Sequence, residues 1–157
     1  MKKTNVILFI TMIMFFSFLV SGVEKMEKIE KDKILKTGKE WQDIYTGYRV
    51  DESFIDTLKA KIGDDLKIDV YLGLWCGDSK NNVPKFIKII DAAGQKNLTV
   101  NYYTVERKAS RDIKYFIKNL KVERVPTFIF YRSGKEIGRI IENPKNSLIE
   151  DFLEIIF

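Results

Sequence analysis

Histidine is absent from the 157 residues, and cysteine occurs once, at Cys76. Without histidine the chain lacks the commonest metal ligand and the commonest general base of enzymes. A single cysteine excludes an intramolecular disulfide and any zinc site built from several cysteines. We therefore expect no metal or other cofactor, and any sulfur chemistry requires Cys76 and a second molecule.

Charge of neither sign dominates the chain, which carries 27 basic and 22 acidic side chains and a formal net charge of +5. The two signs are mixed along the sequence rather than collected in one block. A nucleic-acid surface needs clustered basic residues, so we expect no nucleic-acid partner. The apolar share of 45% suits one domain with a sizeable core.

The N-terminus has the order of a secretory signal peptide. Lys2 and Lys3 form a basic start, Val6 to Val20 is an almost unbroken apolar run, and small residues follow up to Gly22. The run is short for a membrane-spanning helix, which needs about 20 apolar residues. We predict that residues 1–22 are a signal peptide cleaved near Gly22, with an uncleaved anchor as the alternative. The protein would then be exported to the periplasm or another extracytoplasmic, oxidising compartment. It would contact a membrane only if the signal segment stayed uncleaved.

The next stretch, residues 23–48, is rich in lysine and glutamate, with apolar residues at irregular intervals. It predicts one or two amphipathic helices interrupted near Gly38. This N-terminal helical extension is either a solvated arm packed loosely on the domain or a helix that binds a partner. The folded domain is predicted to follow, over residues 49–157.

Beyond the extension, the hydrophobic spacing alternates between the helical and the strand period. It predicts helices and strands over the following residues: helices 51–62, 79–93, 110–120 and 147–156, and strands 68–74, 98–105, 127–131 and 136–141. Strands that alternate with helices run parallel, whereas the last two strands, joined at Ser133-Gly134, form an antiparallel hairpin. The predicted fold class is α/β, with a mixed central sheet of about four strands and helices on both faces.

One segment has the residues of a reactive site. Trp75-Cys76-Gly77-Asp78-Ser79 stands between a predicted strand and a predicted helix. A cysteine at a helix N-terminus faces unpaired backbone N–H groups and the positive end of the helix dipole, and both favour the reactive thiolate. Gly77 would allow a tight turn, Trp75 would shield one side of the sulfur, and Ser79 would hydrogen-bond the sulfur or cap the helix. The alternative is that Cys76 is an inert, small buried residue and that Asp78 and Ser79 are only caps.

Three features at these separations resemble the thioredoxin superfamily. The segment from Trp75 to Ser79 stands where that family has its WCxxC motif, and Pro84 matches the proline that kinks the following helix. Arg124-Val125-Pro126-Thr127 matches the loop whose proline is cis and faces the cysteine. The resemblance covers about residues 54–157, and WCGDS is similar to a bacterial subgroup in which a small residue replaces the second cysteine. It implies a thioredoxin-like fold in which the backbone of Val125, before Pro126, aligns an extended peptide substrate.

The chain departs from the family's pattern in its second motif position. Ser79 replaces the second cysteine, which in a dithiol protein resolves the mixed disulfide from within. A mixed disulfide at Cys76 can therefore be released only by a thiol from outside. Oxidation of Cys76 to a sulfenic acid would likewise need an outside thiol for its repair.

Acidic residues also differ from the family's pattern. The family's buried acid lies six positions before the first cysteine, where this chain has Val70. Side chains alternate along a strand, so the neighbouring Asp69 should point to the opposite face. Asp78 replaces the usual proline. Its carboxylate would repel a thiolate at Cys76 and so disfavour it, and a nearby Arg107 or Arg124 would offset this repulsion.

These residues support two functions from different classes. The leading hypothesis is an exported monothiol oxidoreductase that exchanges disulfides with protein or low-molecular-weight thiol partners. Its catalytic residues would be Cys76 and Ser79, and its substrate would be bound by Trp75, Gly77, Asp78, Val125 and Pro126. The alternative is a non-redox thioredoxin-fold module that binds peptides or proteins in the manner of a chaperone. A thiol peroxidase is disfavoured, because the Thr and Arg that usually accompany such a cysteine are not beside it.

Overall fold

The computed structural model describes residues 26–95, 97–107 and 118–157. The predicted signal peptide and most of the predicted helix at 110–120 lie outside these residues. No helix within the described ranges is long and apolar enough to cross a membrane.

The described residues form both helices and strands. The helices are α1 (Lys31–Leu35), α2 (Lys39–Gly47), α3 (Glu52–Lys61), α4 (Gly77–Ala93) and α5 (Leu148–Ile156). The strands are β1 (Lys28–Ile29), β2 (Leu66–Leu72), β3 (Thr99–Thr104), β4 (Thr127–Arg132) and β5 (Lys135–Ile141). Apart from the helix at 110–120, which these bounds do not test, the predicted elements outside the N-terminal extension agree with them to within a few residues.

The strands form one mixed sheet in the order β1-β3-β2-β4-β5. β2 runs parallel to β3, whereas the other neighbouring pairs are antiparallel. The predicted α/β class, the parallel pair and the C-terminal hairpin are confirmed. Within the part of the chain that the structure describes, the sheet has five strands rather than about four, because β1 pairs Lys28 and Ile29 with β3. Two residues are too few for a strand period to show in the sequence.

Local signals explain where several helices begin and end. The Asp51 carboxylate accepts a hydrogen bond from Ser53 N at 2.8 Å at the start of α3. Ser147 Oγ accepts one from Glu150 N at the start of α5. Such caps supply partners that the first helical turn lacks. α4 ends at Ala93, and its C-cap Gly94 has a φ of 61°, in the left-handed region that glycine adopts without strain.

The N-terminal extension is packed into the core. α1 and α2 are separated at Gly38, which is the N-cap residue of α2. Ile34 is fully buried and Trp41 is 3% exposed, and both belong to the same apolar cluster as the central strands. The expectation of a loosely packed arm is therefore wrong, since this segment supplies core side chains as well as the edge strand β1.

Side chains of the central strand alternate between two faces of the sheet. Ile68 and Val70 enter the main apolar cluster, which α4 and α5 cover, whereas Tyr71 enters a smaller cluster on the other face. In the main cluster the Phe86 and Phe128 ring centroids lie 4.8 Å apart. Each such side chain contributes about 1.5–3 kcal/mol on burial. This packing holds α4 against the sheet, so that the end of β2 leads directly into the start of α4.

Candidate functional site

Cys76 lies between the end of β2 and the start of α4. It is the N-cap residue of α4, with extended φ and ψ of −94° and 129°. Its carbonyl oxygen accepts the first helical hydrogen bond, from Lys80 N at 3.0 Å. The residue is half-buried, and it stands at the N–H groups of the first turn of a 17-residue helix. Those groups and the helix dipole favour negative charge at this end of α4.

The Cys76 sulfur faces the loop that precedes β4. Cys76 Sγ donates a hydrogen bond to the Val125 carbonyl oxygen at 3.2 Å, and the Val125–Pro126 peptide bond is cis. Thr127 Oγ1 fixes the same loop by donating to the Arg124 carbonyl oxygen at 2.7 Å. A bond from the thiol to a carbonyl stabilises the protonated sulfur. It must therefore open when the thiolate forms.

Trp75 covers one side of the turn before Cys76. Its side chain is 44% exposed, and its indole Nε1 donates to the Val105 carbonyl oxygen at 2.8 Å. The Arg107 guanidinium lies 4.8 Å from the centroid of the Trp75 ring, a cation–π arrangement. Gly73 allows this packing, because a Cβ there would lie 2.9 Å from Trp75 Cε2. Gly73 was not among the predicted site residues, although a glycine inside a predicted strand, here 68–74, is a signal of close approach.

Ser79 is fully buried, and its hydroxyl makes no hydrogen bond to the Cys76 sulfur, contrary to the prediction. Its hydroxyl accepts a hydrogen bond from Gly73 N at 3.1 Å, so it ties the first turn of α4 to the end of β2. It is not a helix cap either, since Cys76 holds the N-cap position. The serine at the place of a second cysteine therefore has a visible structural role in the turn.

Gly77 and Asp78 open α4 next to Cys76. A Cβ at Gly77 would meet no atom within 4 Å, and the φ of Gly77 is not positive. The turn therefore does not require glycine there, contrary to the sequence argument, and Gly77 leaves an open approach beside the sulfur. Asp78 lies in the first turn of α4, where the helix dipole favours a carboxylate.

Neither arginine named as an offset for Asp78 forms an ion pair with it. Arg124 pairs with Glu142, with 2.8 Å between Nη1 and Oε2, and this hydrogen bond raises the pKa of the guanidinium above its ordinary value. Arg107 lies over Trp75 instead. Both cations still stand at the rim of the same groove as Cys76.

A groove of 910 Å³ opens beside Cys76, with Trp75 and Val125 in its lining. Its charged side chains are of both signs: Arg107, Lys118, Lys121 and Arg124 are basic, and Glu106, Glu123 and Glu142 are acidic. An extended segment of a partner can lie in such a groove with a disulfide next to the sulfur. The arrangement can therefore present a thiol to a disulfide from another molecule.

The two residues discussed as buried acid positions occupy opposite faces of β2. Val70 is fully buried in the main apolar cluster, so no acid lies at the family's position. Asp69 is buried on the other face, where its carboxylate accepts from Asn101 Nδ2 at 2.8 Å and pairs with Lys67 Nζ at 2.8 Å. Within the described ranges no group of three histidine, cysteine or acidic side chains could hold a metal ion.

The fold and the site together define a thioredoxin-like protein. A mixed sheet, a cysteine at the N-cap of the helix after the central strand and a facing Val125–Pro126 loop are its elements. A family model described as Thioredoxin matches residues 22–150. The chain belongs to this thioredoxin family, and the match includes the N-terminal extension that packs into the core.

Individual relatives and solved structures agree with this assignment. A thioredoxin of Echinococcus granulosus is 30% identical over 87 residues, which cover 55% of this chain and 75% of that protein. A thioredoxin-like protein of Acanthamoeba polyphaga mimivirus is 24% identical over 103 residues, covering 64% and 72% of the two chains. The crystal structure of a protein of unknown function from Pseudomonas aeruginosa has a TM-score of 0.56 at 15% identity, covering 82% of this chain and 86% of that one. This structural likeness concerns the fold alone, whereas the family places the chain, at a general level, among proteins of thiol–disulfide chemistry.

Proposed function

We propose that this protein is a monothiol thioredoxin-like protein that exchanges disulfides with protein partners through Cys76. The observation that carries the proposal is the position of the sulfur. It is half-buried at the N-terminus of α4, 3.2 Å from the Val125 carbonyl oxygen, and it borders the 910 Å³ groove. The WCGDS sequence of residues 75–79 also supports membership of the bacterial subgroup in which a small residue replaces the second cysteine.

The exchange consists of two balanced steps. In the first, the Cys76 thiolate attacks one sulfur of a partner disulfide, forms a mixed disulfide and releases the other sulfur as a thiolate. In the second, the thiolate of a low-molecular-weight or protein thiol attacks the partner's sulfur in that mixed disulfide. The Cys76 thiolate is then restored, and the partner carries a new disulfide with the outside thiol. The second step depends on that outside thiol because Cys76 is the chain's single cysteine.

The surface beside Cys76 supports an extended peptide as the substrate. Leu74 and Trp75 are exposed apolar side chains, at 37% and 44% of their surface. Trp75 and Val125 both line the groove; Val125 is partly exposed, and Pro126 next to it in the chain is buried. A peptide lying in this groove can pair with the Val125 backbone and place its disulfide on the Cys76 sulfur.

Mixed-disulfide trapping tests the proposal directly. Wild-type protein and the Cys76→Ala variant are incubated with an extract of exported proteins, quenched with acid and an alkylating agent, and separated without reductant. We expect wild-type protein to form adducts that reductant cleaves and that are missing with Cys76→Ala. Ser79→Cys is the matched control, because a second sulfur at this position should resolve the adducts from within and reduce their amount. If wild-type protein gives no adduct that reductant removes, exchange through Cys76 is excluded.

We also propose that the protein is exported. The basic start at Lys2 and Lys3, the apolar run from Val6 to Val20 and the small residues up to Gly22 support a cleaved signal. Cell fractionation with N-terminal sequencing of the mature protein tests this. A mature N-terminus near residue 23 in the exported fraction agrees with the proposal, and intact protein confined to the cytoplasm contradicts it.

A second function, peptide binding without redox turnover, is favoured by one observation. The Cys76 thiol donates to the Val125 carbonyl oxygen, a bond that holds the neutral thiol. The discriminating variant is Cys76→Ser, which keeps a donor of similar size but cannot form a disulfide. Partner binding that is unchanged in Cys76→Ser, together with no adducts from wild-type protein, would select the binding module over the exchange protein.

A further inference from the structure

Asn82 on α4 connects that helix to the loop after β5. The residue is 3% exposed, and both hydrogens of its side-chain amide have acceptors. Nδ2 donates to the Glu142 carbonyl oxygen at 2.8 Å and to Asn143 Oδ1 at 2.8 Å. A buried amide with two donated bonds holds its partners firmly, because leaving either donor unpaired is costly.

Glu142 in turn holds the loop that faces Cys76. Its backbone N donates to the Pro126 carbonyl oxygen at 2.7 Å, and its carboxylate accepts from Arg124 Nη1 at 2.8 Å. Val125 lies between these two attachment points. Glu142 has a φ of 57°, a conformation that costs a residue with a side chain some free energy and persists where surrounding bonds impose it.

We propose that Asn82 and Glu142 form a clamp that sets the position of the Val125 carbonyl oxygen against the Cys76 sulfur. Asn82 is then a positioning residue for the thiol: it fixes Glu142, and Glu142 fixes Pro126 and Arg124 on either side of Val125. The inference rests on the proposed function, because the clamp has a chemical consequence only where Cys76 reacts.

The direction of the effect follows from the hydrogen bond that the clamp maintains. The Val125 oxygen accepts from Cys76 Sγ and so favours the protonated sulfur over the thiolate. A loosened clamp lets this oxygen move away, and the preference for the protonated sulfur that the hydrogen bond imposes is then weaker. Replacing Asn82 by alanine changes no charge in the groove, so a shift in thiol reactivity would report the geometry of the loop.

The test is the pH profile of Cys76 alkylation, measured with iodoacetamide on the folded protein. For Asn82→Ala we expect a profile displaced to lower pH and a rate at pH 7 that is about threefold higher, since part of one hydrogen bond is lost. Asn101→Ala is the matched control. Asn101 is also a buried asparagine that donates to a side chain, but its acceptor is Asp69 on the other face of the sheet. Melting temperatures should fall in both variants, whereas only Asn82→Ala should displace the profile.

Asn143→Ala provides a second variant that leaves the core intact, because Asn143 is exposed. It removes one of the two acceptors of Asn82, and we expect a smaller displacement in the same direction. If Asn82→Ala does not fold, this variant decides alone. Profiles of the Asn82 and Asn143 variants that coincide with wild type, or an equal displacement in Asn101→Ala, would overturn the clamp. Failure of the clamp proposal can be told apart from failure of the disulfide-exchange proposal. Trapping of adducts that require Cys76 is measured independently of the alkylation profile.

Discussion

Asp69 and Cys76 belong to the same strand-and-helix unit but lie in contrasting surroundings. Asp69 is inside β2, 5% exposed, with Asn101 and Lys67 as partners. Cys76 follows the end of β2, half-buried, with the Val125 carbonyl oxygen as its hydrogen-bond partner and a groove beside it. The acid is enclosed and paired, whereas the thiol is accessible. The difference indicates that Asp69 serves the fold, whereas the chemistry that we propose lies at the end of the strand.

A pocket of 370 Å³ surrounds Asp69 and shares none of its lining residues with the groove at Cys76. Three tyrosines line it, and the rings of Tyr71 and Tyr103 are stacked with centroids 5.3 Å apart. Burial and, after it, the Asp69 carboxylate raise the pKa of Tyr71 far above its ordinary value. This side of the sheet is therefore a neutral-phenol cluster around one paired carboxylate.

The largest expected effect comes from moving the carboxylate to the other face of β2. Val70→Asp places a charge without a partner in the main apolar cluster and should lower the free energy of unfolding by about 4 kcal/mol or more. Urea unfolding at pH 7 measures it. Val70→Asn is the neutral control of the same shape, and the gap between the two variants should narrow at acidic pH as the carboxyl protonates. Equal stabilities at neutral pH would contradict the apolar surroundings assigned to Val70.

A smaller effect is expected from removing the acid where it stands. Asp69→Ala leaves Asn101 without its acceptor, which should cost about 1–3 kcal/mol of unfolding free energy. The other partner, Lys67, adds little to this cost because it can turn to solvent. The rate of Cys76 alkylation should stay at the wild-type value.

The opposite combination is expected for Asp78→Ala: the free energy of unfolding changes little, and Cys76 is alkylated faster. Alkylation altered by Asp69→Ala would mean that the two regions are coupled.

Alkaline pH should weaken the tyrosine cluster. The pKa of Tyr71 is higher in the folded than in the unfolded protein. Its contribution to the free energy of unfolding is therefore fully present below about pH 10 and is lost as the pH rises above that value. At pH 11 the loss amounts to about 1.4 kcal/mol for one tyrosine that stays neutral when folded. Tyr71→Phe should reduce the decline in urea stability between pH 8 and pH 11 by this amount. An unchanged decline would show that Tyr71 is not enclosed as described.

The smallest effect concerns the rim of the groove. Arg107→Ala removes the guanidinium from the Trp75 ring and should change stability by about 0.5–1 kcal/mol or less, as for an exposed cation–π pair. Its measurable consequence is greater quenching of tryptophan fluorescence by acrylamide. Trp41 is 3% exposed and serves as the internal reference. Arg107→Lys should restore part of the protection, and quenching that is equal in all three proteins would contradict the stacking.

Patterns that repeat within a few residues predicted most of the fold. The apolar run of β2, the helical spacing of α4 and the turn at Ser133-Gly134 each determine local structure, so the elements and the mixed sheet could be derived. The opposite orientation of Asp69 and Val70 likewise followed from strand alternation. β1 was missed because its pairing with β3 comes from a partner strand about 75 positions away rather than from its own two residues.

The candidate site was predictable in position and less so in contacts. The segment from Trp75 to Ser79 and the Val125-Pro126 pair stand out as motifs. The remaining contacts depend on the tertiary structure: Ser79 bonds to Gly73, and Asn82 bonds to residues 60 and 61 positions further along the chain. A buried asparagine has no sequence signal that tells which distant carbonyl it meets, so the clamp required the structure.

The central claim, that the fold makes Cys76 a nucleophile for disulfides, is tested most directly by one pair of rates. The reaction of Cys76 with a small aromatic disulfide is followed at pH 7 in the folded protein and in the same protein unfolded by urea, and the single cysteine makes each rate unambiguous. We expect the folded protein to react faster, because Cys76 stands at the start of α4 and the groove beside it admits the disulfide. A folded rate below the unfolded rate would contradict this account, since the fold would then protect the thiol rather than activate it.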